Sequence, residues 1–139
     1  MGSEKYIGDY KEQDSNKPAR VVLVMEKYQK LGEAHEEELG KLKGVGIIMT
    51  ENSTEAINEL ERGAGITHVI LGALSPFGSG WLKVAEAAEA IEIKQEKIFI
   101  ICLDADIRGT FPGEGYVFIP RRNIGDTAGK TSYKKLLGL

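Results

Sequence analysis

The chain has 139 residues, of which 42% are hydrophobic and 28% are charged, and its formal net charge at pH 7 is −3. This length suits one domain with a substantial core, and the composition is that of an ordinary globular protein. The negative charge argues against a nucleic-acid-binding surface over the whole domain, and no apolar run is long enough to span a membrane.

Four apolar runs, residues 21–25, 45–49, 67–71 and 98–103, predict buried strands. Helical spacing of apolar residues follows each of the first three runs, up to residue 43, from 52 to 64 and from 80 to 93. Asn52, with Glu55 three residues later, has the spacing of a capping box and predicts the start of the second helix.

The remaining segments are less regular. Residues 1–19 are polar and predict a flexible tail or linker ahead of a domain over 20–139, with a docked N-terminal arm as the alternative. Residues 104–115 contain four glycine or proline residues, which argues against a full helix. A fifth strand over 116–119 ends at Pro120, and a short helix over 127–137 follows, with Tyr133, Leu136 and Leu137 as its apolar contacts.

Strands that alternate with helices predict an α/β fold with helices on both faces of a parallel sheet. Right-handed crossovers and one change of winding direction give a flavodoxin-like three-layer sandwich, with five strands in the order 2-1-3-4-5 and a fourth helix that is short or missing. In such sheets ligands bind at the carboxyl ends of the strands. The loop after the third strand, residues 74–79, offers serine hydroxyls there but no acid, base or metal ligand.

Three short patterns carry a family resemblance. Gly72, Pro76 and Gly80 follow one another at intervals of four residues. The other two patterns are Glu55-Ala56-Ile57-x-x-Leu60 in the second helix and Tyr116-Val117-Phe118-Ile119-Pro120 in the fifth strand. Over about residues 20 to 139 the chain resembles the receiver domain of two-component response regulators, in which a phosphoacceptor aspartate stands four residues before the proline.

The resemblance implies a phosphorylation pocket that lacks the residues needed for phosphotransfer. The family's phosphoacceptor falls here on Gly72, and its paired acids fall on Met25 and Glu26. Its switch residue falls on Cys102, or on Asp104 with a two-residue shift. Its lysine and cis-proline fall on Ile119 and Pro120. Phosphotransfer to aspartate needs a carboxylate nucleophile, and Mg²⁺ needs about two carboxylates plus waters. We therefore expect a degenerate pocket with no catalytic residue, no metal and no cofactor.

A cluster of side chains after the fourth strand predicts an interaction face. In receiver domains this region docks partners and dimer mates, and here it carries Tyr116, Arg121, Arg122, Lys130 and Lys134. Arginine and tyrosine are enriched at interface hot spots. The cluster predicts a protein partner or self-association; a solvated face, or nucleic-acid contact with steep salt dependence, is the alternative.

Other candidate motifs have simpler interpretations. Residues 125–131 resemble a P-loop but have three residues between the glycines where a Walker A loop has four. Asp104, Asp106 and Glu114 are candidate metal ligands or, more simply, solvated loop acids. His35 is expected to be a partly buried helix residue without a partner, and His68 has no acid or second histidine beside it. Cys102, the single cysteine, predicts a structural thiol in a reducing cytoplasm.

The sequence thus predicts a cytoplasmic pseudo-receiver, an interaction module of signal transduction that is not an enzyme. The alternative is a flavodoxin-like domain that binds a small ligand, or acts as an enzyme, at the carboxyl ends of the strands. In that case the backbone of residues 75–80 would cradle a phosphate. Thermal stability with a panel of nucleotides, flavins and Mg²⁺ separates the two hypotheses, because a specific ligand raises the melting temperature.

Overall fold

The computed structural model describes residues 6–8, 19–73, 80–102, 116–125 and 130–139. Within these ranges six strands form one sheet: β1 (Tyr6–Gly8), β2 (Arg20–Met25), β3 (Val45–Thr50), β4 (His68–Ala73), β5 (Ile98–Cys102) and β6 (Val117–Pro120). The same ranges contain α1 (Gln29–Gly40), α2 (Ser53–Glu61), α3 (Gly80–Ala90) and α4 (Tyr133–Leu136). Short 3₁₀ helices lie at Gln95–Lys97 and Arg121–Asn123.

The strand order across the sheet is β1-β3-β2-β4-β5-β6. The strands from β2 to β6 are parallel, so their own order is 2-1-3-4-5 and the predicted flavodoxin-like α/β fold is confirmed. Strand β1 pairs antiparallel with β3, with Tyr6 opposite Ile48, and adds an edge strand that the sequence did not predict. The prediction of a flexible tail over residues 1–19 falls mostly outside the described residues, but Tyr6–Gly8 within that range form β1. The prediction of a short or missing fourth helix falls on residues 103–115, which also lie outside them.

The core has one apolar layer on each face of the sheet. Leu23, Leu71 and Ile100 point to the α2–α3 face, where the core side chains of α2 and α3 cover them. The neighbouring residues in the strands, such as Val24 and Ile70, point to the α1–α4 face and pack with Leu39, Tyr133 and Leu137. Burial on both faces explains why the strands are apolar throughout rather than alternating. No helix in the described part of the chain is long and apolar enough to cross a bilayer.

Helix α2 begins as the capping box predicts. The Asn52 side chain accepts a hydrogen bond from the Glu55 backbone N–H at 2.9 Å. The Glu55 carboxylate in turn accepts from the Glu51 N–H at 2.9 Å, one residue earlier than in the standard box. Two backbone donors at the helix start are therefore satisfied by side chains.

Replacing Asn52 by alanine is expected to lower the free energy of unfolding by about 1 kcal/mol, because the Glu55 N–H loses its acceptor. Urea denaturation measures the loss. Asn58→Ala, an exposed position inside the same helix, is the matched control and is expected to be neutral or slightly stabilising. Equal losses in the two variants would contradict a specific role for the cap.

All four helices begin or end at residues other than the predicted ones, and α2 ends at Glu61 rather than residue 64. Helix α3 stops at Ala90 instead of residue 93, because Glu92 takes a left-handed φ of 71° and the Ile93 N–H donates back to the Ala88 carbonyl. Helix α1 ends at Gly40, before the predicted residue 43. Helix α4 begins at Tyr133 rather than 127, since the Ser132 side chain caps it by accepting from the Lys135 N–H.

Candidate functional site

The candidate site lies where the parallel strands end. Ala73 of β4 pairs with Cys102 of β5, which pairs with Pro120 of β6, so three strand ends stand side by side. On the other side of β4, Met25 of β2 pairs with Leu71, and Glu26 follows directly. The structure therefore brings all six residues of the predicted degenerate pocket to one edge of the sheet: Met25, Glu26, Gly72, Cys102, Ile119 and Pro120.

The Glu26 carboxylate lies directly against Gly72. A Cβ atom placed on Gly72 would lie 2.5 Å from Glu26 Cδ and 2.7 Å from Oε2, and closer still to Oε1. Contacts under 3.0 Å are essentially never made by real Cβ atoms. A side chain at residue 72 would therefore force the Glu26 carboxylate to move from its present position.

Glu26, His35 and Tyr133 form a buried chain of hydrogen bonds. His35 Nε2 lies 3.1 Å from Glu26 Oε1, and His35 Nδ1 lies 2.5 Å from the Tyr133 hydroxyl. His35 is fully buried, and Glu26 and Tyr133 are 6% and 5% exposed. The Tyr28 backbone N–H approaches the second Glu26 oxygen at 3.4 Å. A carboxylate taken out of water needs such partners, so the chain of bonds is what makes its burial tolerable.

The hydrogen-bonding groups themselves determine which atoms of this chain carry the protons. A carboxylate only accepts hydrogen bonds, so the proton on His35 faces Glu26 from Nε2. Burial raises the pKa of Tyr133 to about 12, with the charges of Glu38 and Glu26 adding to the effect and that of Arg121 opposing it. The phenol thus keeps its proton at neutral pH and donates it to His35 Nδ1. The order of donation is Tyr133 to His35 to Glu26.

The Tyr133 phenol is expected to titrate near pH 12, against about 10 in the unfolded chain. Between these pH values the unfolded chain loses the phenol proton and the folded protein does not. The folded protein is therefore expected to lose stability as the pH rises from 10 through 12. NMR of ¹³C-labelled tyrosine measures the titration, Tyr133→Phe assigns the signal, and the protein in urea is the reference. A folded-state midpoint near 10 would contradict the buried position.

Two of the five residues of the predicted interaction face, Tyr116 and Arg121, lie on opposite faces of the sheet. Tyr116 is half-buried on the α2–α3 face, where its hydroxyl donates to the Glu89 carboxylate and its ring packs edge-on against Trp81. Arg121 is half-buried beside Tyr133, and the side chains of Arg122, Lys130 and Lys134 are exposed.

Arg121 borders a cavity of about 320 Å³ between α1 and α4. Glu38 of α1 and Tyr133 of α4 also line it, so one end of the hydrogen-bond chain reaches this cavity. Arg121 Nε is buried and has no hydrogen-bond partner among the described residues.

His35 was expected to be partly buried, with no partner near it in sequence; it is fully buried, and its partners Glu26 and Tyr133 come from other elements. Tyr133 was predicted only as an apolar contact, and it lies 98 residues from His35 in sequence. The only signal for His35 was its position on the apolar stripe of α1, four residues from Leu31 and from Leu39. At the pocket, Ile119 packs into the core on the α1–α4 face, and the peptide bond before Pro120 is trans rather than cis.

Several candidate residues cannot be placed. The acids Asp104, Asp106 and Glu114, the serines and glycines of 74–79 and the central residues 126–129 of the P-loop-like segment lie outside the described residues. Within the described ranges no three His, Cys, Asp or Glu side chains lie close enough together to hold a metal ion.

The fold defines the class of this protein as a flavodoxin-like α/β domain. Comparison of the chain with protein-family models, with curated protein sequences and with solved structures finds no match in any of the three.

Proposed function

We propose that this domain is a pseudo-receiver, an interaction module that acts through protein contacts and receives no phosphoryl group. The observation that carries the proposal is the Glu26 carboxylate in the space that a side chain at residue 72 would need. By the resemblance, residue 72 is the phosphoacceptor position. Transfer to an aspartate requires a carboxylate there and room beside it for the phosphoryl group.

The other groups at the edge support the same function. Glu26 is the one acid at the positions that correspond to the paired acids, and its oxygens are engaged by His35 and by the Tyr28 N–H. A Mg²⁺ ion would have to compete with both of these bonds for a single carboxylate. Ile119, at the position of the lysine that holds the phosphoryl oxygens in the family, is buried and apolar.

The partner surface consists of Arg122, Lys130 and Lys134, which we call the basic surface. All three side chains are exposed, and none forms an ion pair with another residue in the described part of the chain. Unpaired cations of this kind favour an acidic partner, because complementary charge speeds and orients association. The partner is therefore expected to be a protein with an acidic docking surface.

The first test is affinity capture from native cell extract. A protein retained by the wild-type chain is expected to be lost by Arg122→Glu/Lys134→Glu and kept by Lys83→Glu/Lys94→Glu, which makes the same charge change at exposed positions elsewhere. Retention is expected to be the same with and without acetyl phosphate and Mg²⁺. Mass spectrometry after that treatment is expected to show an unmodified chain, and a Mg²⁺-dependent phosphorylated form would overturn the proposal.

A second candidate function is favoured by the cavity beside Tyr133. This cavity of about 320 Å³ is lined by Arg121, whose buried Nε has no partner among the described residues and suits an anionic ligand. A nucleotide or flavin that stabilises the wild-type chain but not Arg121→Gln, measured by thermal unfolding, would favour this function. A panel with no stabilising compound would leave the interaction module as the supported function.

A further inference from the structure

A second cavity lies at the opposite edge of the sheet, at the amino ends of the strands. It measures about 510 Å³, within the range of small-molecule sites. Arg20 at the start of β2, His68 at the start of β4 and Lys97 just before β5 line it in the order of the sheet. Lys135 and Leu137, from α4 and the residue after it, form another wall.

The cavity is rich in positive charge. Three cations, Arg20, Lys97 and Lys135, face one carboxylate, that of Glu96, and none of the four forms an ion pair with any described residue. The Arg20 guanidinium is fixed in place, since Nε donates to the Leu137 carbonyl at 2.8 Å and Nη2 approaches the Gly138 carbonyl at 3.5 Å. Carbonyl groups orient the guanidinium without neutralising its charge.

His68 is the polar group held most firmly in the wall. It is 5% exposed, its ring stacks on Phe99 with an interplanar angle of 10°, and Nδ1 lies 2.8 Å from the Thr67 hydroxyl. Its Nε2 makes no hydrogen bond to any described residue. Burial, followed by the charges of Lys97 and Arg20, lowers the pKa of His68 to about 4. The imidazole is therefore neutral and lies in the positive field of the cavity.

We propose that this amino-edge cavity binds a small phosphate-bearing ligand through Arg20, Lys97 and Lys135. Three cations that outnumber the one carboxylate of the cavity and form no ion pair with a described residue, one of them oriented by backbone carbonyls, suit the oxygens of a phosphate or diphosphate. Leu136 and Leu137 form an apolar part of the cavity wall, against which an organic group attached to the phosphate can pack. The site lies at the other edge of the sheet from Glu26 and Gly72, so it is independent of the pseudo-receiver proposal.

The test is an NMR titration of the full chain with pyrophosphate, with ADP and with adenosine. Pyrophosphate or ADP is expected to move the Lys97 and Lys135 amide signals and to raise the pKa of His68 from about 4 toward its ordinary value, because a bound anion stabilises the imidazolium. Binding of ADP alone identifies an organic phosphate, and binding of both identifies the phosphate group itself. Adenosine is expected not to bind.

Charge variants test whether the phosphate binds at this cavity. Lys97→Glu/Lys135→Glu is expected to weaken binding by about tenfold or more, whereas Lys30→Glu/Lys83→Glu, with the same charge change at exposed positions of α1 and α3, is expected to bind as the wild type does. The unliganded pKa of His68 and the thermal unfolding of each variant are measured first, to separate lost binding from altered folding. The proposal is overturned if neither phosphate binds at millimolar concentration, if adenosine binds as well as ADP, or if both double variants bind equally.

Discussion

Replacing Gly72 by alanine is expected to lower the free energy of unfolding by about 3 kcal/mol. The added methyl group cannot share space with the Glu26 carboxylate, and the strand ends on both sides hold the backbone in register. Overpacking of a filled site costs about 1–3 kcal/mol by itself. Displacing Glu26 also breaks its bond to His35 and leaves a buried polar group unpaired, which costs about 1–3 kcal/mol more.

A double-mutant cycle with Glu26→Ala tests the mechanism. With the carboxylate removed, the methyl group at residue 72 has room, so Gly72→Ala is expected to cost less than 1 kcal/mol in that background, giving a coupling energy of about 2 kcal/mol. Gly40→Ala, where a Cβ would meet nothing within 4 Å, is the control and is expected to be neutral or stabilising. Chemical denaturation measures all five proteins, and an equal cost of Gly72→Ala in both backgrounds would refute the steric explanation.

Replacing His35 by alanine is expected to lower the free energy of unfolding at least as much as Gly72→Ala does, by about 3–5 kcal/mol. This change removes the partner of a carboxylate that is only 6% exposed, and an uncompensated buried charge is among the largest single costs in a folded protein. The lost ring also leaves a cavity beside Tyr133. Tyr133→Phe, which removes one hydroxyl and keeps the ring, is expected to cost about 1–2 kcal/mol.

Removal of both Glu26 and its partner His35 supplies the decisive comparison. His35→Leu/Glu26→Met replaces the buried pair by apolar side chains, and such replacements are often close to neutral. The double variant is therefore expected to be more stable than His35→Leu alone. If the single variant is the more stable one, Glu26 does not depend on His35, and the buried chain of bonds does not explain its position.

The elements of the fold were predictable from local patterns, and the site was predictable only in part. Unbroken apolar runs identified the five parallel strands, and the ends of these strands located the edge where Glu26 and Gly72 meet. The short strand β1 was missed, because Tyr6–Gly8 has three residues, one of them glycine, and gives no periodic signal. The link from Glu26 through His35 to Tyr133 was missed because it joins three distant elements, and no local pattern encodes which polar side chains meet across a core.

The two outermost strands of the sheet have a consequence for how copies of this chain meet one another. A long, bare strand edge is a template on which another chain adds a strand and begins to aggregate. Here β1 covers part of β3 with only three residues, and the opposite edge, β6, has four residues and ends in Pro120, which lacks a backbone donor. Each described edge therefore offers few backbone groups to a strand of another chain.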